Sequence, residues 1–175
     1  DSRDPEDLWA FMKGYEDEVG GRVLAIPHNG NLSMGAMFAL TTRDDGPFTR
    51  SYAETRARWE PLYEVTQIKG DGETHPILSP GDEFADYETW QGSTPRDSIA
   101  QKQAEYARSA LKLGLGQQAA LGANPFKFGM IGSTDAHTSL AAVDEDNFWG
   151  KVPLNEPSRF RPARQWYMTA SGYAG

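Results

Sequence analysis

The chain contains no cysteine among its 175 residues. Disulfide bonds and thiolate metal sites are therefore excluded, and any metal ion must be held by His, Asp or Glu side chains. The absence does not indicate a compartment, because a chain without cysteine is stable on either side of a membrane. Cytoplasmic and periplasmic locations both stay open.

Positive charge and long apolar runs are also scarce. The 17 Lys and Arg residues are outnumbered by 25 Asp and Glu residues, which gives a formal net charge of −8. Such a negative field repels phosphate backbones, so we expect no nucleic-acid partner. No apolar run approaches the roughly 20 residues that cross a bilayer, so no membrane partner is expected either. An anionic small molecule stays compatible with this charge, because bound metal cations reverse the potential inside a pocket.

The first part of the chain has the pattern of an α/β protein. A helix is predicted from Pro5, with Asp4 as its N-cap and Gly20-Gly21 as its end. Its apolar residues recur at helical spacing: Leu8, Phe11, Met12, Tyr15 and Val19. The apolar run at 22–27 follows at once and predicts a strand covered on both faces, as in a parallel sheet.

The same reasoning predicts further elements. A second helix is expected from Ser51 to Glu60, opened by Ser51 and Glu54 at capping-box spacing. A long helix is expected from Arg96 to about Leu121, with Ala107 and Leu115 on one face. The remaining expectations are strands at 62–68 and 127–133 and a long irregular stretch over 69–94.

Each of the three histidines follows a predicted strand. His28 comes directly after 22–27, His137 follows 127–133 together with Asp135, and His75 lies in the loop after 62–68. The carboxyl ends of parallel strands lie at one edge of a sheet, so these side chains are expected to converge. Imidazole and carboxylate groups are ligands for zinc, manganese and iron.

Glu64 is unusual because it is a carboxylate inside a predicted buried strand. Burying an unpaired carboxylate costs several kcal/mol, so a metal ion or a paired cation is expected beside it. The alternative is that Glu64 faces solvent or pairs with an arginine such as Arg22. Together with the histidines and Asp135, this residue favours a metal site.

Three segments carry a family resemblance: Ile26–Ser33 (IPHNGNLS), Glu64–Pro76 (EVTQIKGDGETHP) and Asn124–Thr138 (NPFKFGMIGSTDAHT). They resemble an uncharacterised bacterial domain-of-unknown-function family similar to the PHP (polymerase and histidinol phosphatase) metallohydrolases. The resemblance implies a distorted, TIM-like β/α barrel with mostly parallel strands. It also implies two or three divalent ions (Zn, Mn or Fe) at the strand ends.

The resemblance also assigns roles to residues. It implies that the metal ligands are His28, Glu64, His75, Asp135 and His137. Glu64 resembles the bridging carboxylate, and Glu64 and His75 are the expected catalytic groups. Asn29 and Lys69 are candidates for substrate contact, with a solvated loop as the alternative.

The resemblance further implies that residues 1–175 form a single, interior piece of a PHP-like domain. PHP-like proteins begin with a His-X-His strand, which this chain lacks before His28, and the family continues beyond the segment similar to Trp166–Gly175. Ligands are therefore expected to be missing, and activity is expected of the complete protein rather than of this piece. An incomplete barrel exposes apolar faces, so a homo-oligomer is expected.

The expected function is that of a metal-dependent hydrolase acting on phosphate or related esters through a metal-activated water. Its partner would be a small anionic ester. Two alternatives stay open: a non-catalytic metal- or ligand-binding module, and a metallohydrolase that cleaves a sulfate ester or an amide. Metal ligands indicate the reaction type better than the substrate.

Overall fold

A computed structural model describes residues 2–67, 69–89, 98–133 and 135–137. None of the helices in these ranges is long and apolar enough to span a membrane. In chain order the elements are α1 (Pro5–Val19), a 3-10 turn (Gly30–Leu32), α2 (Arg50–Trp59), β1 (Leu62–Gln67), β2 (Gly70–Asp71), α3 (Ile99–Gln103), α4 (Ala107–Leu121) and β3 (Gly129–Gly132).

The three strands form one small mixed sheet in the order β2-β1-β3. Strands β1 and β3 are parallel, with Glu64 opposite Ile131, whereas β2 runs antiparallel to β1. The expectation of a TIM-like barrel with mostly parallel strands is therefore wrong. A barrel requires a sheet that closes on itself, and the part of the chain described here has only three strands, which leave the sheet open.

Two of the three predicted strands are confirmed, since β1 and β3 lie inside the ranges 62–68 and 127–133. The predicted strand at 22–27 is an extended segment outside the sheet. The Ala25 amide donates to the carbonyl of Trp59 at 2.8 Å, and the Glu64 amide donates to the carbonyl of Pro27 at 3.0 Å. Leu24 and Ile26 are exposed, so this segment is not covered on both faces.

Helix α1 has the predicted boundaries because its end signals are local. The Asp4 carboxylate accepts a hydrogen bond from the Glu6 amide at 3.0 Å, and Gly20 takes the left-handed conformation at φ 71°. Its apolar face is less buried than predicted. Trp9 and Met12 are buried, but Phe11 is 71% exposed. An open groove of about 410 Å³ is lined by Leu8, Phe11, Met12, Tyr15, Val23, Leu24 and Ala25.

Helix α2 begins one residue earlier than predicted, and its cap is a different residue. The Thr49 hydroxyl accepts from the Tyr52 amide at 3.1 Å, so Thr49 and not Ser51 is the N-cap. Glu54 pairs with Arg50 at 2.8 Å. The predicted capping box is therefore wrong, because the Thr49 hydroxyl has the role assigned to Ser51 and the Glu54 carboxylate pairs with Arg50.

The predicted long helix is instead two helices, α3 and α4. Residues 96 and 97, where the predicted helix began, lie outside the described ranges. In a continuous helix the Arg108 amide would donate to the carbonyl of Ala104. Instead, Arg108 donates to the carbonyl of Glu73 at 3.0 Å, and Ala104 accepts from the Phe38 amide at 2.9 Å. Hydrogen bonds to other parts of the fold thus replace the helical ones and end α3.

The core is mostly aromatic and anchors β1. The Phe38 ring lies 5.0 Å from that of Tyr63 and 5.4 Å from that of Phe126, both in edge-on geometry. Trp9 of α1 meets Tyr52 of α2 in the same way at 5.2 Å. Because neighbouring strand residues point to opposite faces, a buried Tyr63 directs the side chain of Glu64 away from this core.

Candidate functional site

Hydrogen bonds bring two chain segments, around residues 27–31 and just after β3, to β1 and the residues that follow it. The carbonyl of Pro27, next to His28, accepts from the Glu64 amide at 3.0 Å. The Ser133 amide, just after β3, donates to the carbonyl of Thr66 at 3.1 Å. The side chain of Asn31 donates to the carbonyl of Lys69 at 3.0 Å. The backbone segments next to His28 and Asp135 thus lie beside β1, whereas the convergence of the predicted side chains stays a prediction.

Glu64 has a neighbour that its position in the sequence does not indicate. The β1/β3 register shifts between Glu64 and Thr66, as in a β-bulge. In a regular strand the side chains of Glu64 and Gln67 would point to opposite faces, because the two residues are three positions apart. Here the Gln67 amide nitrogen donates to Glu64 Oε2 at 3.4 Å, and Gln67 is buried. Gln67 is therefore a site residue that sequence reasoning missed, since the bulge leaves no sequence signal.

Two buried oxygens near this strand end lack donors. Within the described residues, neither Glu64 Oε1 nor Asn29 Oδ1 has a hydrogen-bond partner. Asn29 has the left-handed φ of 60°, next to Gly30, whose amide donates to the Tyr63 hydroxyl at 3.1 Å. A buried acceptor without a donor is costly, and a carboxylate oxygen more so than an amide oxygen. A bound cation is one kind of partner that would satisfy such an oxygen.

Asp135 and Lys69 form an ion pair at the same strand end. The Lys69 ammonium contacts Asp135 Oδ2, and the two side chains are 23% and 14% exposed. The backbone of Asp135 is left-handed, with φ 56°, and its amide donates to the Ser133 hydroxyl at 3.2 Å. Lys69, expected at the substrate, and Asp135, expected at the metal, are thus partners of each other.

His28 and His137 lie at the outer side of this region. His28 is exposed and follows Pro27 directly. The His137 side chain is 56% exposed, and its Nδ1 lies 2.7 Å from the backbone oxygen of Asp135 and 3.7 Å from Asp135 Oδ1. Both histidines are therefore accessible from solvent.

His75 lies in the loop after β2, where its described contacts are with Ile77 and Tyr106. Its Nδ1 accepts from the Ile77 amide at 3.3 Å, and its ring lies 5.5 Å from that of Tyr106. Across residues 2–67, 69–89, 98–133 and 135–137, no three His, Asp or Glu side chains lie together in a way that could hold a metal ion. The five expected ligands therefore do not form a closed set in this conformation.

The loop that carries His75 is held by a buried carboxylate and an arginine. Asp71 accepts from the amides of Glu73 and Thr74 at 3.0 and 3.2 Å, and burial raises the pKa of its carboxyl to about 6. On the other side, Arg108 of α4 pairs with Glu73 at 2.7 Å and with Asp82 at 2.5 Å. Its hydrogen bond to Asp82 lowers the pKa of that carboxyl.

These features define a small α/β protein with a cluster of polar groups at the carboxyl end of two parallel strands. The chain belongs to the family described as "Protein of unknown function (DUF3604)", whose pattern it matches over residues 1–175. Neither a search of curated proteins nor a search of solved structures found a match.

Proposed function

We propose that this domain provides ligands for a divalent metal ion in a hydrolase of PHP-like type, acting on phosphate or related esters. The observation that carries the proposal is the buried Glu64 Oε1, which has no hydrogen-bond partner within the described residues. It lies at a strand end beside segments that contribute Asn29, His28 and Asp135. A bound ion or a catalytic role is one recognised explanation for a buried polar atom without a partner.

The chemistry of the donor atoms fits a divalent cation. Carboxylate and amide oxygens are hard ligands, and imidazole adds affinity for Zn, Mn and Fe. Glu64 and Asn29 offer one such oxygen each in a buried setting. In the proposed site Asp135 is a further ligand, with His28 and His137 approaching from the solvent side.

The remaining residues have supporting roles. A divalent ion supplies Lewis acidity and activates water for attack on an ester. Glu64 and His75 are the proposed proton-handling groups, and Gln67 holds one Glu64 oxygen at 3.4 Å. Lys69 provides a positive charge for an anionic substrate in a chain whose net charge is −8.

Metal binding by a charge-neutral variant tests the proposal. Glu64→Gln keeps the side-chain shape and removes one negative ligand, so we expect its Mn²⁺ or Zn²⁺ affinity to fall about tenfold or more. Glu54→Gln, the same substitution on the exposed side of α2, should bind like the unmodified chain. Calorimetry and elemental analysis after dialysis measure both. Equal metal retention by the two variants would contradict the proposal.

Ester hydrolysis separates the remaining alternatives. In the full-length protein, we expect p-nitrophenyl phosphate or its diester to be hydrolysed only after metal loading and not after chelation. Metal binding with no turnover of phosphate, sulfate or amide substrates would instead indicate a binding module. Turnover of p-nitrophenyl sulfate or an anilide alone would indicate a metallohydrolase for another bond.

A further inference from the structure

The extended segment at 22–27 has one edge that is hydrogen-bonded and one that is free. The amide of Ala25 and the carbonyl of Pro27 both bond to the chain at and just before β1. In an extended chain, neighbouring residues direct their backbone groups to opposite edges, so Leu24 and Ile26 direct theirs away from β1. Within the described residues no hydrogen bond uses the amide or the carbonyl of either.

This free edge lacks the features that usually protect an exposed strand edge. Such edges carry charged side chains, a proline or a bulge, which prevent pairing with another chain. Residues 23–26 are Val, Leu, Ala and Ile, with no charge among them. Pro27 does not interrupt the free edge, because its carbonyl bonds to β1 and the donor that it lacks would face the same way. The edge is therefore open to a further strand.

An apolar surface continues from this edge onto α1. Leu24 and Phe11 line the same open groove of about 410 Å³. The helix and the segment leave several large apolar side chains exposed: Leu8, Phe11, Tyr15, Val19, Leu24 and Ile26. Together they present on the order of several hundred Å² of apolar surface, a size that marks interaction sites. A stable dimer buries about 800 Å² on each partner, so this surface is large enough to be its apolar part.

We propose that this edge pairs with the same edge of a second copy of the chain, antiparallel about a two-fold axis, with Leu24 opposite Ile26 of the second copy. A two-fold axis brings the same surface of both copies together, so the edge must complement itself. Centred on Ala25, the pairing joins the free amides and carbonyls of one copy to those of the other. It also places leucine against isoleucine twice on the exposed face. The inference goes beyond the proposed function, because it concerns a surface and needs no metal ion.

Sedimentation equilibrium of the protein measures the pairing. We expect a mass that rises with concentration from that of one copy to twice that value. Ile26→Lys adds a charge at a side chain that is already 39% exposed, so the variant should fold and keep the mass of one copy. Leu115→Lys is the matched control, because Leu115 is 66% exposed on α4, and it should dimerise like the unmodified chain.

Amide hydrogen exchange identifies the edge itself. Between dilute and concentrated protein, exchange at Leu24 and Ile26 should slow about tenfold or more, because their amides gain acceptors in the second copy. The Ala25 amide already donates to the carbonyl of Trp59 and should exchange at the same slow rate at every concentration. Packing of side chains alone would not produce this alternation along the segment.

Each outcome decides for or against the inference. A mass of one copy at all concentrations up to about 1 mM would overturn it. So would a dimer that persists in Ile26→Lys while the Leu24 and Ile26 amides exchange at the monomer rate. Slow exchange of both amides at every dilution would show that another segment of the same chain covers the edge, and would also overturn it. If circular dichroism shows that Ile26→Lys is unfolded, exchange in the unmodified chain decides. Failure of the proposed metal site would leave all these results unchanged.

Discussion

The buried carboxyl of Asp71 helps to hold the loop that carries His75, and it makes the stability of the fold depend on pH. Two backbone amides donate to it, yet burial still raises its pKa to about 6, with a smaller contribution from the charge on Glu73. Arg108 acts in the opposite direction but is too distant to cancel the effect of burial. The neutral form of Asp71 is therefore favoured by folding, which is the reverse of the usual behaviour of an aspartate.

This pKa predicts that Asp71 stabilises the fold as the pH falls. A raised folded-state pKa means that the contribution is absent near pH 7 and grows as the pH drops through about 6 toward 4. Relative to Asp71→Asn, the unmodified chain should gain about 1 to 2 kcal/mol between roughly pH 7 and pH 4.5. Urea unfolding across that range measures the gain.

The comparison with Asp71→Asn is needed because other carboxyls act in the opposite direction. Asp82 and Glu16 have lowered pKa values and lose stabilising contacts in acid. Asp44→Asn, the same substitution at an exposed turn, is the matched control for the loss of one carboxylate. A constant difference between Asp71→Asn and the unmodified chain would contradict the raised pKa.

Helix ends show which features of the elements are local. The start of α2 depends on a single hydroxyl, since Thr49 Oγ1 accepts from the Tyr52 amide. The first turn of a helix has free amides, and a side-chain acceptor at the N-cap satisfies one of them. Ser51 lies inside the helix and is exposed, so its hydroxyl is not required there.

The cap assignment predicts unequal effects for two similar substitutions. Thr49→Ala should lower the free energy of unfolding by about 1 kcal/mol, because the Tyr52 amide loses its acceptor. Ser51→Ala should change it by less than about 0.5 kcal/mol, as expected for an exposed position without a structural contact. Chemical denaturation of both variants measures the two effects. A larger loss for Ser51→Ala would return the cap to Ser51.

The elements also show why sequence reasoning succeeded in some places and failed in others. The boundaries of α1 were predictable because Asp4, Pro5 and Gly20 act on the residues next to them. The interruption before α4 was not, because it depends on hydrogen bonds that its amides donate to distant carbonyls such as that of Glu73. Strand positions were largely correct, but the number of strands and their closure depend on pairing that periodicity does not reveal.

At the scale of the whole molecule, long-range polar contacts hold the irregular region after β2 against the helices. Arg108 of α4 reaches Glu73 and Asp82, which are 35 and 26 positions away in the chain. The pKa of Arg108 is raised by its hydrogen bond to Asp82, followed by that to Glu73. An arginine with two carboxylate partners of this kind connects separate segments of the chain. The ion pair between Arg50 and Glu54 instead lies within one turn of α2.

Removing Arg108 should therefore loosen the region after β2. We expect Arg108→Ala to lower the free energy of unfolding by about 1 kcal/mol, at the upper end for exposed ion pairs because two partners are lost. Limited proteolysis should cut faster within 76–88, where Phe84 and Tyr87 are exposed. Arg50→Ala is the matched control. Equal proteolysis of the two variants would contradict a role for Arg108 in holding this region.

At this scale the sequence predicted which segments meet but not how their side chains are arranged. The apolar runs before His28 and Asp135 and around Glu64 were enough to predict that these backbone segments lie side by side; that their side chains form one site stays a prediction. The contact of Lys69 with Asp135 and that of Gln67 with Glu64 were not predictable, because they depend on the β1/β3 register and its bulge. The place of His75 next to Tyr106 likewise depends on how the loop folds back.

The parallel pairing of β1 with β3 has a consequence for how the chain folds. Its partner residues are far apart in sequence, so the entropy of closing a long loop must be overcome before the strands meet. The segments that carry Glu64 and Asp135 meet only after that event, so we expect the polar groups at this strand end to come together late in folding. A ligand that binds there would slow global unfolding, and amide hydrogen exchange in β1 and β3 would report its presence.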